Sequence, residues 1–303
     1  MKEVIITGHT GFLGQNLIDS LVEDNFRVTG ISKRKIKDGR IKQIKKNIKK
    51  ISAKDIKNKS TIIHLAATTD VIECEKNPVE CFKINVEGTQ RILEIAKIKQ
   101  CNVIFPSTSH VYGYPKKNPI SEDHPLNATS IYAASKIAGE MLCQAYAETF
   151  KMNVSVFRLF SAYGPKNSDY KVESRIISQL LLKNKIILGN LSPKRDFIYI
   201  ADAVNAIKII MNHTKKFQVF NIGTGKSNSI KEICSILGKI SNKKMNIQSN
   251  KNKSRSKDIP LVQCNSKKLQ RLGWRPKTRL ETGLKITYEW HKENLKNYTS
   301  KVG

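Results

Sequence analysis

Residues 7–14 read TGHTGFLG, placing Gly8, Gly11 and Gly14 at intervals of three between an apolar run and an amphipathic one. Upstream, Val4, Ile5 and Ile6 have the character of a short buried strand; downstream, Leu13, Leu17, Ile18 and Leu21 recur at helical spacing. The glycines therefore fall on a strand-to-helix turn. Glycine tolerates positive φ and lets the backbone come close to another group, and a helix start presents unpaired N–H donors with a partial positive charge. Together these seat a pyrophosphate, and the strand and helix around the motif favour a dinucleotide site over a plain tight turn.

Outward from this turn, strand-like runs recur as VIIT (4–7), RVTGIS (27–32), TIIHLAA (61–67), NVIFPS (102–107) and VSVFRLF (154–160). Amphipathic segments such as VEGTQRILEIAKI and YAASKIAGEMLCQAYAETF fill the intervals. Repeated strand–helix–strand units predict an α/β fold with a doubly wound parallel sheet, which binds ligands at the carboxyl ends of its strands. After YGPKN (163–167) the rhythm becomes irregular. The expected division is a dinucleotide-binding domain over 1–165, with a return around 196–225 through QVFNIGTG, and a smaller, mixed domain over most of 166–303.

The 303 residues suffice for a large core. No run of 18 apolar residues and no basic-then-apolar leader is present, which predicts a soluble, non-exported chain. Six cysteines without a CxxC pair, set in apolar patterns, suit buried thiols in a reducing cytoplasm better than disulfides or a metal site. The 54 Lys and Arg against 25 Asp and Glu leave +29, and residues 33–59 alone hold 13 basic and 2 acidic side chains. Ile41, Ile44, Ile48 and Ile51 interleave those lysines and no aromatic residue is there to stack on a base. The segment reads as solvated surface and nucleic acid is not the expected partner; an anionic partner is the alternative.

The strongest chemical signal is SIYAASK, where Tyr132 and Lys136 lie four apart on one face of a helix. An ammonium beside a phenol favours the phenolate, so the pair is expected to lower the tyrosine pKa towards neutrality and let it exchange a proton with a hydroxyl or carbonyl.

These pieces together resemble the extended short-chain dehydrogenase/reductase family of nucleotide-sugar epimerases, dehydratases and reductases, over nearly the whole chain. TGHTGFLG matches its cofactor turn, implying Rossmann-type dinucleotide contacts from Gly8, Thr10, Gly11, Phe12, Leu13 and Gly14, and IIHLAA matches its fourth strand, adding Leu65, Ala66 and Ala67. KINVEGTQRILE matches the helix whose Asn85 supports the active-site hydrogen bonds; STSHVYG places Thr108 as the hydroxyl that meets the sugar C4 oxygen, with Ser109 and His110 beside it. YAASK supplies the base Tyr132 and its Lys136, which also binds cofactor. RLFSAYGP carries Ser161 where the family usually has Asn, and Arg195 and Arg255 are expected to face the substrate diphosphate within the C-terminal, substrate-binding part.

The resemblance implies hydride transfer between nicotinamide and a sugar carbon, usually C4. Dehydratase relatives carry Asp-Glu directly after the Ser/Thr; Ser109 and His110 stand there instead, so a 4-epimerase is preferred. NAD-specific members place an acid after the second strand, whereas this chain reads Ser32-Lys33-Arg34, which suits a 2′-phosphate and favours NADP over NAD. Asn47 and Ile48 occupy the place of an adenine-contacting pair. An NADPH-dependent reductase of a nucleotide-linked 4-keto-6-deoxysugar is the alternative, and a non-catalytic dinucleotide sensor or scaffold a third reading. The resemblance also implies a homodimer through a four-helix bundle of the 86–98 and 132–147 segments, with a nucleotide-diphosphate sugar as substrate and no membrane or metal site.

Overall fold

The computed structural model describes residues 2–168, 170–182, 186–243, 246–249 and 259–295. The chain runs β1 (Glu3–Thr7), α1 (Phe12–Glu23), β2 (Arg27–Ser32), β3 (Lys42–Lys45), β4 (Thr61–His64), α2 (Val71–Lys76), α3 (Pro78–Phe82), α4 (Gly88–Lys99), β5 (Asn102–Thr108), α5 (Ile131–Phe150) and β6 (Val154–Leu159). It continues through β7 (Ser161–Tyr163), α6 (Val172–Leu182), β8 (Ile186–Leu188), β9 (Lys194–Arg195), β10 (Phe197–Tyr199), α7 (Ile200–Asn212) and β11 (Phe217–Ile222). The last elements are β12 (Asn228–Ser229), α8 (Ile230–Ser241), β13 (Ile247–Ser249), β14 (Leu261–Val262), α9 (Lys267–Gln270) and α10 (Leu280–Glu293).

Seven strands form one sheet in the order β11-β6-β5-β4-β1-β2-β3, with every pairing parallel. From β1 the chain builds outward to β2 and β3, then crosses to the other side for β4, β5 and β6. The order reverses between β1 and β4, which opens the crevice where such sheets bind ligands. The apolar runs are continuous because both faces are covered. On one face Leu17, Ile18 and Leu21 of α1 pack with Ile207 and Ile210 of α7 and with Trp274. On the other, Ile92, Leu93 and Ala96 of α4 meet Cys143 and Ala147 of α5. A further cluster joins α6, α8 and α10 through Ile177, Leu180, Ile233, Leu237, Leu284 and Tyr288, beside the short pairs β8–β13 and β9–β14.

The basic stretch finds a structural place. Ile41, Ile48 and Ile51 are buried while β3, reading KQIK, forms the sheet edge. Lysines on an edge strand discourage pairing with another chain. Several basic side chains here are matched by acids, among them Lys46 with Asp55, Lys49 with Glu80, and Arg40 with Asp19 and Asp38. All six cysteines are buried free thiols. Among the described residues no helix is long and apolar enough to cross a membrane.

Beneath the sheet's carboxyl edge lies a buried ion pair. Arg158 of β6 donates to both carboxylate oxygens of Glu140 on α5, at 2.7 Å from Nη2 and 3.1 and 3.2 Å from Nε. Ser107 Oγ also donates to that carboxylate. Arg158 Nη1 reaches the Tyr112 hydroxyl at 2.9 Å and the Glu122 carbonyl at 2.8 Å, and Tyr112 donates to Asn221 Oδ1 at 2.7 Å. Five segments are thereby tied by bonds that each satisfy a buried polar group. Arg158→Met strands the Glu140 carboxylate, and chemical denaturation should show a loss of about 3–5 kcal/mol; an unchanged unfolding midpoint would mean that the carboxylate finds another partner.

Candidate functional site

Gly8 directly follows β1 with φ +70°, and its N–H donates to the Ile31 carbonyl at 2.8 Å. A Cβ at Gly8 would stand 2.7 Å from the Ala66 nitrogen, and one at Gly14 2.7 Å from the His9 backbone, so the turn closes only without side chains at both places. Gly11 is the N-cap of α1 and offers no side-chain acceptor to the first turn, which also lacks an acid. That leaves α1 with uncapped N–H donors facing the crevice, the chemistry that holds a pyrophosphate. The residues present therefore fit a dinucleotide. Phe12 and Leu13 begin α1, and Leu65, Ala66 and Ala67 follow β4 beside the turn. Thr7 Oγ1 accepts from the Ala66 N–H at 3.2 Å and bonds His64 Nδ1 at 2.7 Å. Burial pushes His64 down to about 3, so it is neutral at physiological pH.

Thr10 Oγ1 meets Ser32 Oγ at 3.0 Å, fixing the end of β2 to the glycine turn, and Lys33 and Arg34 are exposed directly beyond it. Asn47 has a local task, accepting from the Lys49 N–H at 3.1 Å as the cap of a short 3₁₀ turn. Ile48 is buried and packs against Gly88 at the start of α4.

The second half of the site forms where β5 meets α5. Thr108 ends β5 and its Oγ1 accepts from the His110 N–H at 3.2 Å, starting the turn that carries Ser109 and His110. Ser130 caps α5 by accepting from the Ala133 N–H at 3.1 Å, so Tyr132 sits in the first turn and Lys136 one turn later. The His110 ring stands edge-on to Tyr132 with centroids 5.9 Å apart. Cys74, Cys81, Val71 and Ile131 pack around Tyr132.

One expectation is corrected. The Lys136 ammonium does not lower the Tyr132 hydroxyl here: Lys136 Nζ donates to the Pro106 carbonyl at 2.8 Å and lies over the Phe105 ring, 4.7 Å from its centroid. Burial pushes the Tyr132 hydroxyl above its ordinary value, and a hydrogen bond with Thr108 pulls the other way. Burial also pushes Lys136 down to about 8. The four-residue spacing puts the two side chains on one helix face, but the carbonyl of β5 captures the ammonium.

Asn85 braces this arrangement. It lies in a π turn spanning Lys83–Glu87, a local widening frequent at functional sites. Its Oδ1 accepts from the Thr68 N–H at 2.8 Å, and its Nδ2 donates to the Thr68 carbonyl and to Ser135 Oγ, each at 2.9 Å. Ser135 Oγ in turn donates to the Tyr132 carbonyl at 2.8 Å. The loop after β4 is thus pinned to α5 between Tyr132 and Lys136.

Ser161 opens β7, and Arg195 on β9 donates to the Ile259 carbonyl at 2.7 Å. Arg255 lies outside the described residues. Two further side chains carry no mark in the sequence reading, Tyr170 beside the loop after β4 and Glu173 buried in the first turn of α6. Tyr170 meets Thr69 Oγ1 at 3.2 Å through its hydroxyl, and Glu173 accepts from Asn167 Nδ2 at 2.7 Å just after the YGPKN loop.

A family model described as GDP-mannose 4,6 dehydratase matches residues 5–287. The chain is 32% identical over 319 residues to the "Putative UDP-glucose 4-epimerase" of Methanocaldococcus jannaschii, covering 96% of this chain and 99% of that protein. It is 29% identical over 325 residues to the human dTDP-D-glucose 4,6-dehydratase, covering 98% and 92%. The solved structure of MoeE5 in complex with UDP-glucose and NAD superposes with a TM-score of 0.89 at 27% identity, covering 97% of this chain and 99% of that one. The chain belongs to the NAD-dependent nucleotide-sugar epimerase/dehydratase family, the extended branch of the short-chain dehydrogenases/reductases. It is an enzyme of that family, and its activity is of the nucleotide-sugar epimerase/dehydratase type.

Burial pushes the Glu173 carboxyl up to about 7 from an ordinary 4.5. A carboxyl raised on folding costs nothing while it is protonated in both states, and its cost grows as pH rises from 4.5 through about 7. Glu173→Gln keeps an acceptor for Asn167 and should raise stability at pH 8 by up to about 3 kcal/mol, with no gain at pH 4.5; thermal melts at the two pH values check this, and equal gains would contradict it.

Proposed function

We propose that the protein is a nucleotide-sugar 4-epimerase. The supporting observation is the convergence of Thr108 and Tyr132 at the carboxyl edge of the sheet, on an α5 braced by Asn85, with Ser109 and His110 rather than carboxylates beside Thr108. A dehydratase must protonate a leaving hydroxyl and remove a proton from the adjacent carbon. Ser109 and His110 offer no carboxylic acid for that work.

A pyridine dinucleotide held by the glycine turn, the start of α1 and the loops after β2 and β4 supplies reversible acceptance of hydride from a sugar carbon. The chain's own part is the proton. Tyr132 acts as the phenolate: with its own proton first released to solvent, it takes the proton of the sugar O4 as the alcohol becomes a carbonyl, and gives it back when the carbonyl is reduced on its other face. Thr108 shares a hydrogen bond with the same oxygen, and the Lys136 ammonium contributes positive charge at the base of the pocket.

NADP is the proposed form of the cofactor. The end of β2 carries Ser32, Lys33 and Arg34 and no carboxylate, which would repel a 2′-phosphate. The same feature favours the second reading, an NADPH-consuming reductase of a 4-keto-6-deoxysugar. A nucleotide-diphosphate sugar is the proposed substrate, and Arg195, Arg255 and Ser161 are the residues proposed to bind it. The proposed partner is a second copy of the chain across α4 and α5, where Ile98, Met141 and Phe150 are large, apolar and exposed.

Incubation of the purified enzyme with UDP-, GDP- and dTDP-sugars should give interconversion at C4 without net consumption of NADPH. Stoichiometric loss of the reduced-nicotinamide absorbance would favour the reductase, and a 4-keto-6-deoxy product the dehydratase. Tyr132→Phe should lower turnover by about two to four orders of magnitude with dinucleotide affinity unchanged; turnover at the wild-type rate would discard Tyr132 as the base.

A further inference from the structure

We infer that His9 and Gln43 are positioning residues for the adenosine end of the cofactor, acting by pinning the three-residue cationic span Lys33–Arg34–Lys35. The inference rests on the 2′-phosphate reading of Lys33 and Arg34, and goes beyond it by adding Lys35 and by naming what holds the cations in place.

His9 belongs to the glycine turn and is fully buried. Its ring lies on β2 where the strand has no side chain: a Cβ at Gly30 would stand 2.5 Å from His9 Cγ and 2.8 Å from Nδ1. Nδ1 has no partner, and Nε2 donates to Gln43 Oε1 at 3.1 Å. Gln43 Oε1 accepts a second bond from the Ile36 N–H at 2.9 Å, while Gln43 Nε2 donates to the Ile36 carbonyl at 3.0 Å and the Asp38 carbonyl at 2.9 Å. Both lone-pair positions and both protons of the amide are used, so its orientation is fully determined.

The span between Ser32 and Ile36 is therefore fixed at both ends, and both anchors refer to the same turn. Ser32 is held by Thr10 at 3.0 Å, and its carbonyl accepts from the Lys46 N–H at 2.8 Å. Ile36 is held through both backbone polar groups by Gln43, which is itself bonded to His9. Farther along, Arg40 ties the loop to α1 through Asp38 and Asp19 at 2.7 and 2.6 Å. Lys33, Arg34 and Lys35 are exposed between the anchors. A loop fixed before the ligand arrives spares the entropy of ordering it, which is how positioning becomes affinity. NAD has no group for these cations, so the gain belongs to the 2′-phosphate.

Calorimetric titration of the full-length protein with NADP and, separately, NAD tests this in wild type, Gln43→Ala and His9→Phe. The phenylalanine keeps a ring over Gly30 and removes only the bond to Gln43. Circular dichroism and melting temperature establish that each variant is folded. Expected are losses of NADP affinity of about tenfold in Gln43→Ala and about threefold in His9→Phe, with NAD affinity changed by less than about twofold. Equal losses for the two dinucleotides would mark a purely structural role and overturn the inference, as would NADP affinity unchanged within about twofold in a folded Gln43→Ala. A wild type that binds NADP no tighter than NAD would instead remove the 2′-phosphate reading. The inference falls with that reading, because the span is held for that phosphate, and this failure is told apart from the others by being read in the wild type alone.

Discussion

The site depends on one close approach, that of the Gly8 backbone to Ala66. A left-handed φ of +70° and the missing Cβ let the ends of β1 and β4 meet where the sheet order reverses. The glycine turn then opens over the start of α1. The same contact sets the loop after β4, and that loop carries Thr68, both of whose backbone polar groups are bonded by Asn85. Asn85 reaches Ser135, and Ser135 reaches Tyr132. A continuous series of contacts, one steric exclusion followed by hydrogen bonds, thus runs from the cofactor turn to the backbone of Tyr132.

The phenol's electrostatics follow from burial more than from its neighbour on the helix. Tyr132 and Lys136 both sit in a desolvated pocket, and desolvation disfavours the charged form of each. Thr108 opposes this at Tyr132, and the Pro106 carbonyl and Phe105 ring hold the ammonium. Below them, the Glu140–Arg158 pair anchors α5 to β6 and reaches β5 through Ser107, next to Thr108. Reacting groups of this kind need a rigid support, and a fully satisfied buried network supplies one.

Much of this was legible in the sequence because the signals are local. Apolar runs of four to seven residues mark β1, β2, β5, β6 and β11, and the glycine spacing marks the turn. β3 was missed because KQIK has the composition of exposed surface; only its position at the sheet edge makes it a strand. The π turn at Asn85 leaves no trace in helical periodicity. The Tyr132–Lys136 spacing shows a shared helix face, but the acceptor that diverts the ammonium comes from a strand distant in sequence. His9 carries no local signal either, since its packing and its bond depend on Gly30 and Gln43, each from a different strand.

The central claim is that the first β–α turn of this chain seats a pyridine dinucleotide beside a buried tyrosine. Its most direct test is the stoichiometry of dinucleotide binding by the wild-type protein, measured by equilibrium dialysis. One dinucleotide per chain, displaced by adenosine diphosphate ribose, is the expected result. A folded protein that retains neither NAD nor NADP would contradict the account and leave only the architecture standing.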